Sequence, residues 1–272
     1  METSLFQYAL HLADNTLILG QRNAEWTGHG PVLEQDIAIT NISLDLIGQS
    51  RNFYQYAATL YNNFNKKEKE EVLYLMPHIW KTFDRELTED DLAFLRDERQ
   101  YLNLLMVELP KGDWGFSILR QFFFSLFQWC QFEVLKKSND AQLAAIAEKS
   151  SKEITYHLRW SSEWVIRLGD GTEESKSRMI HAVENLWPFT GEFFAAAPFE
   201  TDAVTKGFGV EVADLKDQWL QKVAAVFNEA GLEIPSSNWA QSGGKDGIHS
   251  ENLGPLLAEM QYLQRAYPNA SW

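Results

Sequence analysis

Apolar residues recur every three or four positions along most of this chain, and the stretches that keep this rhythm are separated by short clusters of Gly, Pro, Asn and Asp. That alternation predicts helices joined by tight turns. Leu5, Tyr8, Leu12, Leu19 and Trp26 share one face of a first helix over residues 4–26. Gly28-His29-Gly30-Pro31 then turns the chain, because glycine tolerates a left-handed backbone after a helix and proline suits the first turn of the next. The second helix, 32–61, carries two stripes. Ile37, Thr40, Leu44, Ile47, Arg51 and Tyr54 follow a three/four spacing, and Asn41, Asp45, Gly48 and Asn52 recur beside them, pointing toward a core or a contact between subunits.

The polar stretch 62–71 reads as a loop or an exposed helix start, and 72–83 as a short aromatic segment broken at Pro77. A helix is expected from Thr88, with acids in its first turn, to about Leu109-Pro110. Residues 114–137 are apolar on nearly every side and predict a central helix, and 141–168 form the fourth long one, ending at Gly169-Asp170-Gly171. Four long helices with one longer connection, between the second and third, are the arrangement of a ferritin-like four-helix bundle. Additional C-terminal helices follow: 173–194 with a kink at Pro188, 214–230 and 251–267, with 198–212 irregular and 235–247 a Ser/Gly-rich loop. No strand pattern, repeat or linker interrupts them. The fold class is therefore all-α, a single domain over 1–272 with its core bundle at about 4–170 and added helices at about 172–267.

Composition narrows the function. With 45% hydrophobic residues over 272 positions, the chain can bury one full core. A net charge of −14 argues against nucleic acid and anionic membrane as partners. The longest apolar run, 122–129, is too short to span a bilayer, and the acidic start lacks the features of a secretory signal. The lone Cys130 excludes an internal disulfide and fits a cytoplasmic protein.

A ferritin-like bundle builds a di-iron centre from a carboxylate on each of two helices and a Glu-x-x-His on each of the other two, since positions three apart face the same ion pair. Here the second helix offers Asp45-Leu46-Ile47-Gly48, without the histidine. Of the six histidines, only His249 has an acid three places before it, Asp246, and that pair lies in the C-terminal loop. On the fourth helix Glu153 and His157 stand four apart. Asp45, Gly48, Glu153 and His157 therefore mark a vestigial metal site, with no metal expected in this chain. As a purely structural account, Glu153 pairs with Arg159 or His157, and Asp45 with Arg51 or Asn52. Gly243-Gly244-Lys245 resembles a phosphate loop but lacks its frame. The block Arg96-Asp97-Glu98-Arg99-Gln100-Tyr101-Leu102-Asn103 is denser in charge and amide than a solvated face needs. It reads as an ion-pair network, or as a contact for an anionic ligand or a neighbouring protein of an assembly.

The blocks QRNAEWTGHGPVLEQDIAITNISLDLIGQSRNF, FLRDERQYLNLLMVELP, KEITYHLRWSSEWVIRLGDGT and SGGKDGIHSENLGPLLAEMQYLQRAYP, in that order over nearly the whole chain, closely resemble the C subunits of the bacterial 1,2-phenylacetyl-CoA epoxidases. These enzymes oxygenate the aromatic ring in aerobic phenylacetate degradation. The resemblance implies that the di-iron centre sits in a partner, the catalytic A subunit, while this chain has lost the ligand set and supports that partner structurally. Other subunits of the complex are implied as partners, and a homodimer stays open. It also implies contact with phenylacetyl-CoA at or near the interface, with Gln100, Tyr101, Leu102 and Asn103 as first candidates and Thr201, Asp202 and Ala203 as second. Arg96 or Arg99 would face a CoA phosphate or pair with Asp97 and Glu98. Residues 62–88 look like an insertion relative to the family. The alternative reading is a self-sufficient ferritin-like di-iron oxygenase using Glu153 and His157.

Overall fold

The computed structural model describes residues 2–82, 84–237, 239–267 and 270. Four long helices form its centre: α1 (Glu2–Ala24), α2 (Leu33–Asn63), α6 (Trp114–Leu135) and α7 (Ala141–Gly169). Three short helices occupy the connection between α2 and α6, namely α3 (Lys66–Glu71), α4 (Glu89–Phe94) and α5 (Leu105–Glu108). After the bundle come α8 (Glu173–Leu186), α9 (Pro198–Thr205), α10 (Lys216–Ala230), α11 (Leu253–Met260) and α12 (Tyr262–Ala266). Among the described residues there is no strand, and the all-α architecture is that of a ferritin-like bundle.

α1 runs along α2 and α6 along α7, and the pairs close through α2 on α7. The turn after α1 uses Gly28 at φ +81, and the Asp36 carboxylate takes the Gly30 amide at 2.9 Å. α8 and α10 cover α6 and α7, α9 covers α1, and α4 covers α2. α6 is consequently central: Phe123 touches Trp187, Trp219 and Phe227, and Phe127 stacks on Phe193 at 4.8 Å between ring centres. The aromatic surface of this helix is thus used up inside the chain. Buried apolar residues form one contiguous cluster from Leu5 to Leu257, so the added helices share the core of the bundle.

Close packing holds the added helices down. A Cβ on Gly169, at the end of α7, would stand 2.4 Å from the Ala230 carbonyl oxygen at the end of α10. Gly169→Ala is expected to force the two helix ends apart and lower stability by about 1–3 kcal/mol in a denaturant titration.

Four local expectations need correction. The helix expected from Thr88 to Leu109 is α4, a turn and α5, separated by extended chain, because α1 side chains outcompete helical bonding there. Asp14 accepts the Leu102 amide at 2.8 Å and Asn15 the Leu104 amide at 2.8 Å, while Arg96 donates to the Leu92 and Gln100 carbonyls. The stretch expected to be irregular contains α9, opened by Pro198 and by the Glu200 carboxylate reaching back to the Ala197 amide at 2.8 Å. The last helix is two short ones, α11 and α12. Where a kink at Pro188 was expected within one helix over 173–194, the α-helix ends at Leu186 and the chain tightens into a 3-10 helix, Trp187–Phe194. The aromatic stretch 72–83 makes two 3-10 turns, Leu73–Leu75 and His78–Thr82, and its last residue lies outside those described.

Candidate functional site

Where a ferritin-like protein would gather metal ligands, α2, α6 and α7 bring together amides and isolated acids. Gln49 of α2 donates Nε2 to Glu153 of α7 at 2.9 Å and accepts at Oε1 from Gln128 Nε2 of α6 at 3.0 Å. One turn away, the buried His157 donates Nε2 to Asp45 at 3.0 Å, and its Nδ1 has no partner among the described residues. At the next level Asn23 of α1 donates to Gln121 of α6 at 2.6 Å, and Gln121 to Ser125 at 2.7 Å. The pairs expected within single helices are therefore cross-helix pairs: Asp45 goes to His157, Glu153 to Gln49, and Arg51 to Glu89. This is how buried polar groups are ordinarily satisfied.

The inward register differs from the expected one. Ile39, Ile42, Leu46, Gln49 and Phe53 face the core, so the position paired with Gln49 is Leu46. Gly48 instead lies on the exposed side of α2, and a Cβ there would meet no described atom within 4 Å. Among the described residues no three His, Cys, Asp or Glu side chains come close enough to hold a metal. At this level the described donors are the amides of Gln49 and Gln128, the carboxylates of Glu153 and Asp45 and one histidine, His157, a poor fit to a carboxylate-bridged iron pair, which draws on four carboxylates and two histidines.

A second polar group ties α1 to the connection between α2 and α6. Asp14, fully buried, accepts from the Arg96 guanidinium, the Tyr54 hydroxyl and the Leu102 amide. Burial pushes the Tyr54 hydroxyl well above its usual range, and Asp14 adds to the shift. Beside it His11 donates Nδ1 to the Leu102 carbonyl at 2.7 Å and accepts from Asn15 at Nε2, so it is neutral; burial lowers its pKa.

Residues 241–252 form a strap over this region, bound by three buried acids. The Gly243 and Gly244 amides donate to Glu192 at 3.0 and 2.8 Å, so the loop that resembled a phosphate cradle is filled by the chain's own carboxylate. Burial raises the pKa of Glu192. Lys245 donates to Glu200 at 2.7 Å. Glu108 accepts from His249 Nδ1 at 2.7 Å and from the Ser250 amide at 2.6 Å. His249 Nε2 also reaches the Tyr101 carbonyl at 3.0 Å, and since both partners only accept, both ring nitrogens carry protons. Burial opposes that charge, but Glu108 and the carbonyl outweigh it and the pKa is raised. Nothing in the sequence pointed to these acids except the loop's glycines. A Cβ on Gly244 would sit 2.1 Å from the Asn103 carbonyl oxygen, which allows only glycine at this crossing.

The first candidate ligand contacts lie beneath the strap. Gln100, Tyr101, Leu102 and Asn103 are all buried; Gln100 donates to the Met76 carbonyl, Tyr101 to the Ala93 carbonyl and Asn103 to Glu108. Ala203 is also buried, while Thr201 and Asp202 are open to solvent, Asp202 pairing with Lys206. Arg96 takes neither expected partner, being bonded to Asp14, and Asp97 pairs with Arg265 at 2.9 Å. Arg120 on α6, fully buried, was not singled out by its pattern. It donates to the Leu109 and Pro110 carbonyls, and burial, with Arg22 nearby and Glu25 opposing only in part, pushes its pKa down to about 9. Cys130 is buried too, its thiol pushed up to about 11 by desolvation, which makes it unreactive.

Fold and interior together define a ferritin-like helical protein whose bundle is bridged by the amides of Gln49 and Gln128 with Glu153 and by the Asp45–His157 pair. The chain belongs to the family described as phenylacetic acid catabolic protein, which matches residues 1–272. It is 44% identical over 268 residues to the C subunit of 1,2-phenylacetyl-CoA epoxidase from Escherichia coli (strain K12), an alignment covering 98% of this chain and 99% of that relative. The similarity read from the four sequence blocks agrees with both.

Proposed function

We propose that this chain is a non-catalytic structural subunit of a multicomponent 1,2-phenylacetyl-CoA epoxidase, the assembly that adds oxygen across the aromatic ring of phenylacetyl-CoA. The observation that carries this reading is the Gln49–Gln128–Glu153 bridge, in which two neutral amides and one carboxylate stand where two irons would call for four carboxylates and two histidines. Oxygen activation then belongs to a di-iron catalytic partner, and this bundle holds that partner in its working shape. A buried, unreactive cysteine suits work in a reducing cytoplasm. Contact with the acyl-CoA through Thr201 and Asp202 is sterically open, whereas contact through Gln100 to Asn103 requires the 241–252 strap to move.

Metal analysis tests the reading. The chain purified alone is expected to carry far less than one iron per molecule and to consume no oxygen with a reductase and phenylacetyl-CoA. Two irons per chain with turnover would establish the self-sufficient oxygenase instead.

A further inference from the structure

α6 carries a guanidinium that its surroundings satisfy only in part. Arg120 is fully buried, and of its nitrogens only Nη1 is engaged, donating to the Leu109 and Pro110 carbonyls at 2.5 and 3.0 Å. Nε and Nη2 are buried as well and find no acceptor among the described residues. These two nitrogens share one edge of the guanidinium plane, the edge that grips an anion with two parallel hydrogen bonds.

The acids around this edge are already committed. The charges acting on Arg120 are Arg22 and Glu25 of α1. Glu25 binds Arg22 Nη1 at 2.7 Å and lies partly open to solvent, while Arg22 places its other donors on the Glu108 and Asn252 carbonyls. Lys111, reaching the Glu25 carbonyl at 3.3 Å, adds a third cation. Glu108 gives its carboxylate to Asn103, His249 and the Ser250 amide. Among the described residues, then, three cations share one acid. The carbonyls of residues 108–110 and the Phe116 ring, 5.9 Å from the Arg120 guanidinium, ease the field, but they carry no net charge.

A buried guanidinium in this setting is costly unless an opposite charge meets it. A water molecule on the edge would accept hydrogen bonds without cancelling the charge, whereas a monovalent anion does both. Because the edge is sealed from solvent, a side chain of another protein does not reach it, and the occupant is an ion small enough to be enclosed. We propose that the Nε–Nη2 edge of Arg120 binds a small monovalent anion of the halide class, chloride in the cell, at the junction of α1, α5 and α6. The ion balances the second of two arginines that hold consecutive carbonyls at the end of α5, where Arg22 also fastens the strap through Asn252.

Two measurements on the full chain test this. Crystals grown in sodium bromide should show anomalous scattering from bromine within hydrogen-bond distance of both Nε and Nη2. In urea titrations at constant ionic strength, replacing sodium gluconate by sodium chloride should raise the unfolding midpoint, the folding constant growing up to about tenfold for each tenfold rise in chloride above half-saturation. Arg120→Met should remove this dependence, and so should Arg120→Lys, which keeps the charge but lacks the two-donor edge. If neither variant folds, bromine scattering and chloride dependence of the wild-type chain decide together. A water at the edge, with equal midpoints in the two salts, overturns the proposal. Bromine without chloride dependence marks binding at crystal concentration only and overturns it too. Chloride dependence that survives in both variants, or that comes with no bromine beside Arg120, places the ion elsewhere and overturns the assignment.

Discussion

Asp14→Ala is expected to lower the unfolding free energy by about 3–5 kcal/mol, the usual loss when one partner of a buried ion pair is removed. The carboxylate is fully buried and has four donors: two guanidinium nitrogens of Arg96, the Tyr54 hydroxyl and the Leu102 amide. Removing it strands the Arg96 charge between the rings of Tyr54 and Tyr101, where only the Leu92 and Gln100 carbonyls and the neutral Tyr54 hydroxyl are left to accept from it. The extended chain through Leu102 and Leu104 should loosen as well, because its amides bond to α1 side chains instead of to a helix of its own. Urea titration measures the loss, and hydrogen exchange at Leu102 reports the local opening. A loss below about 1 kcal/mol would mean that water replaces the carboxylate and that the network has little weight.

Glu108→Ala is expected to be of similar size, about 3–5 kcal/mol, and to remove most of the pH dependence above neutrality. The reason is His249, which faces Glu108 from α5, the Tyr101 carbonyl and, farther off, Asp14 from α1. Its pKa in the folded chain is raised above the ordinary 6.5, so the folded state holds the proton more tightly. The stabilisation is complete below pH 6.5 and disappears as the pH rises through the folded value. Glu192, also raised, acts in the same direction but in the carboxylate range above 4.5. His11 has the opposite sign: lowered by burial, it costs stability as the pH falls below 6.5 and the unfolded chain takes up a proton. The two histidines together place a stability maximum near pH 6.5. Denaturant midpoints on either side of neutrality should show an alkaline decline in the wild type that His249→Gln flattens. Parallel declines in both proteins would remove His249 from the account.

Most of the bundle was legible because long amphipathic helices advertise themselves by period. The boundaries of α1, α2, α6 and α7 fall within a few residues of those expected, and Gly28 and Gly169 mark their turns. What escaped is the part held by side chains distant in sequence. Residues 95–104 look helical in composition, yet Asp14 and Asn15, far earlier in the chain, take their amides. Periodicity cannot register such a competitor. α6 reads as central from its apolar surface alone, but that α8, α10 and the 3-10 helix after Leu186 are what cover it could not be read from period. The candidate site was half legible. Asp45 and His157 do meet, and Glu153 does point across the bundle, but the one-residue offset that turns Gln49 inward and Gly48 outward depends on how α2 is rotated. The same rotation explains why the stripe of Ile37, Leu44 and Ile47, which looked like core, is surface.

The strap also governs how the chain can be assembled. Arg22 donates to the carbonyl of Asn252, and Glu108, Glu192 and Glu200 receive their partners from residues 243–250. On a ribosome the four long helices emerge well before any of those partners exist. Until then Glu108, Glu192 and Glu200 lack those partners. A chain truncated ahead of residue 243 is therefore expected to keep the four long helices but to unfold at lower urea concentration, since Glu108, Glu192 and Glu200 would lose those partners.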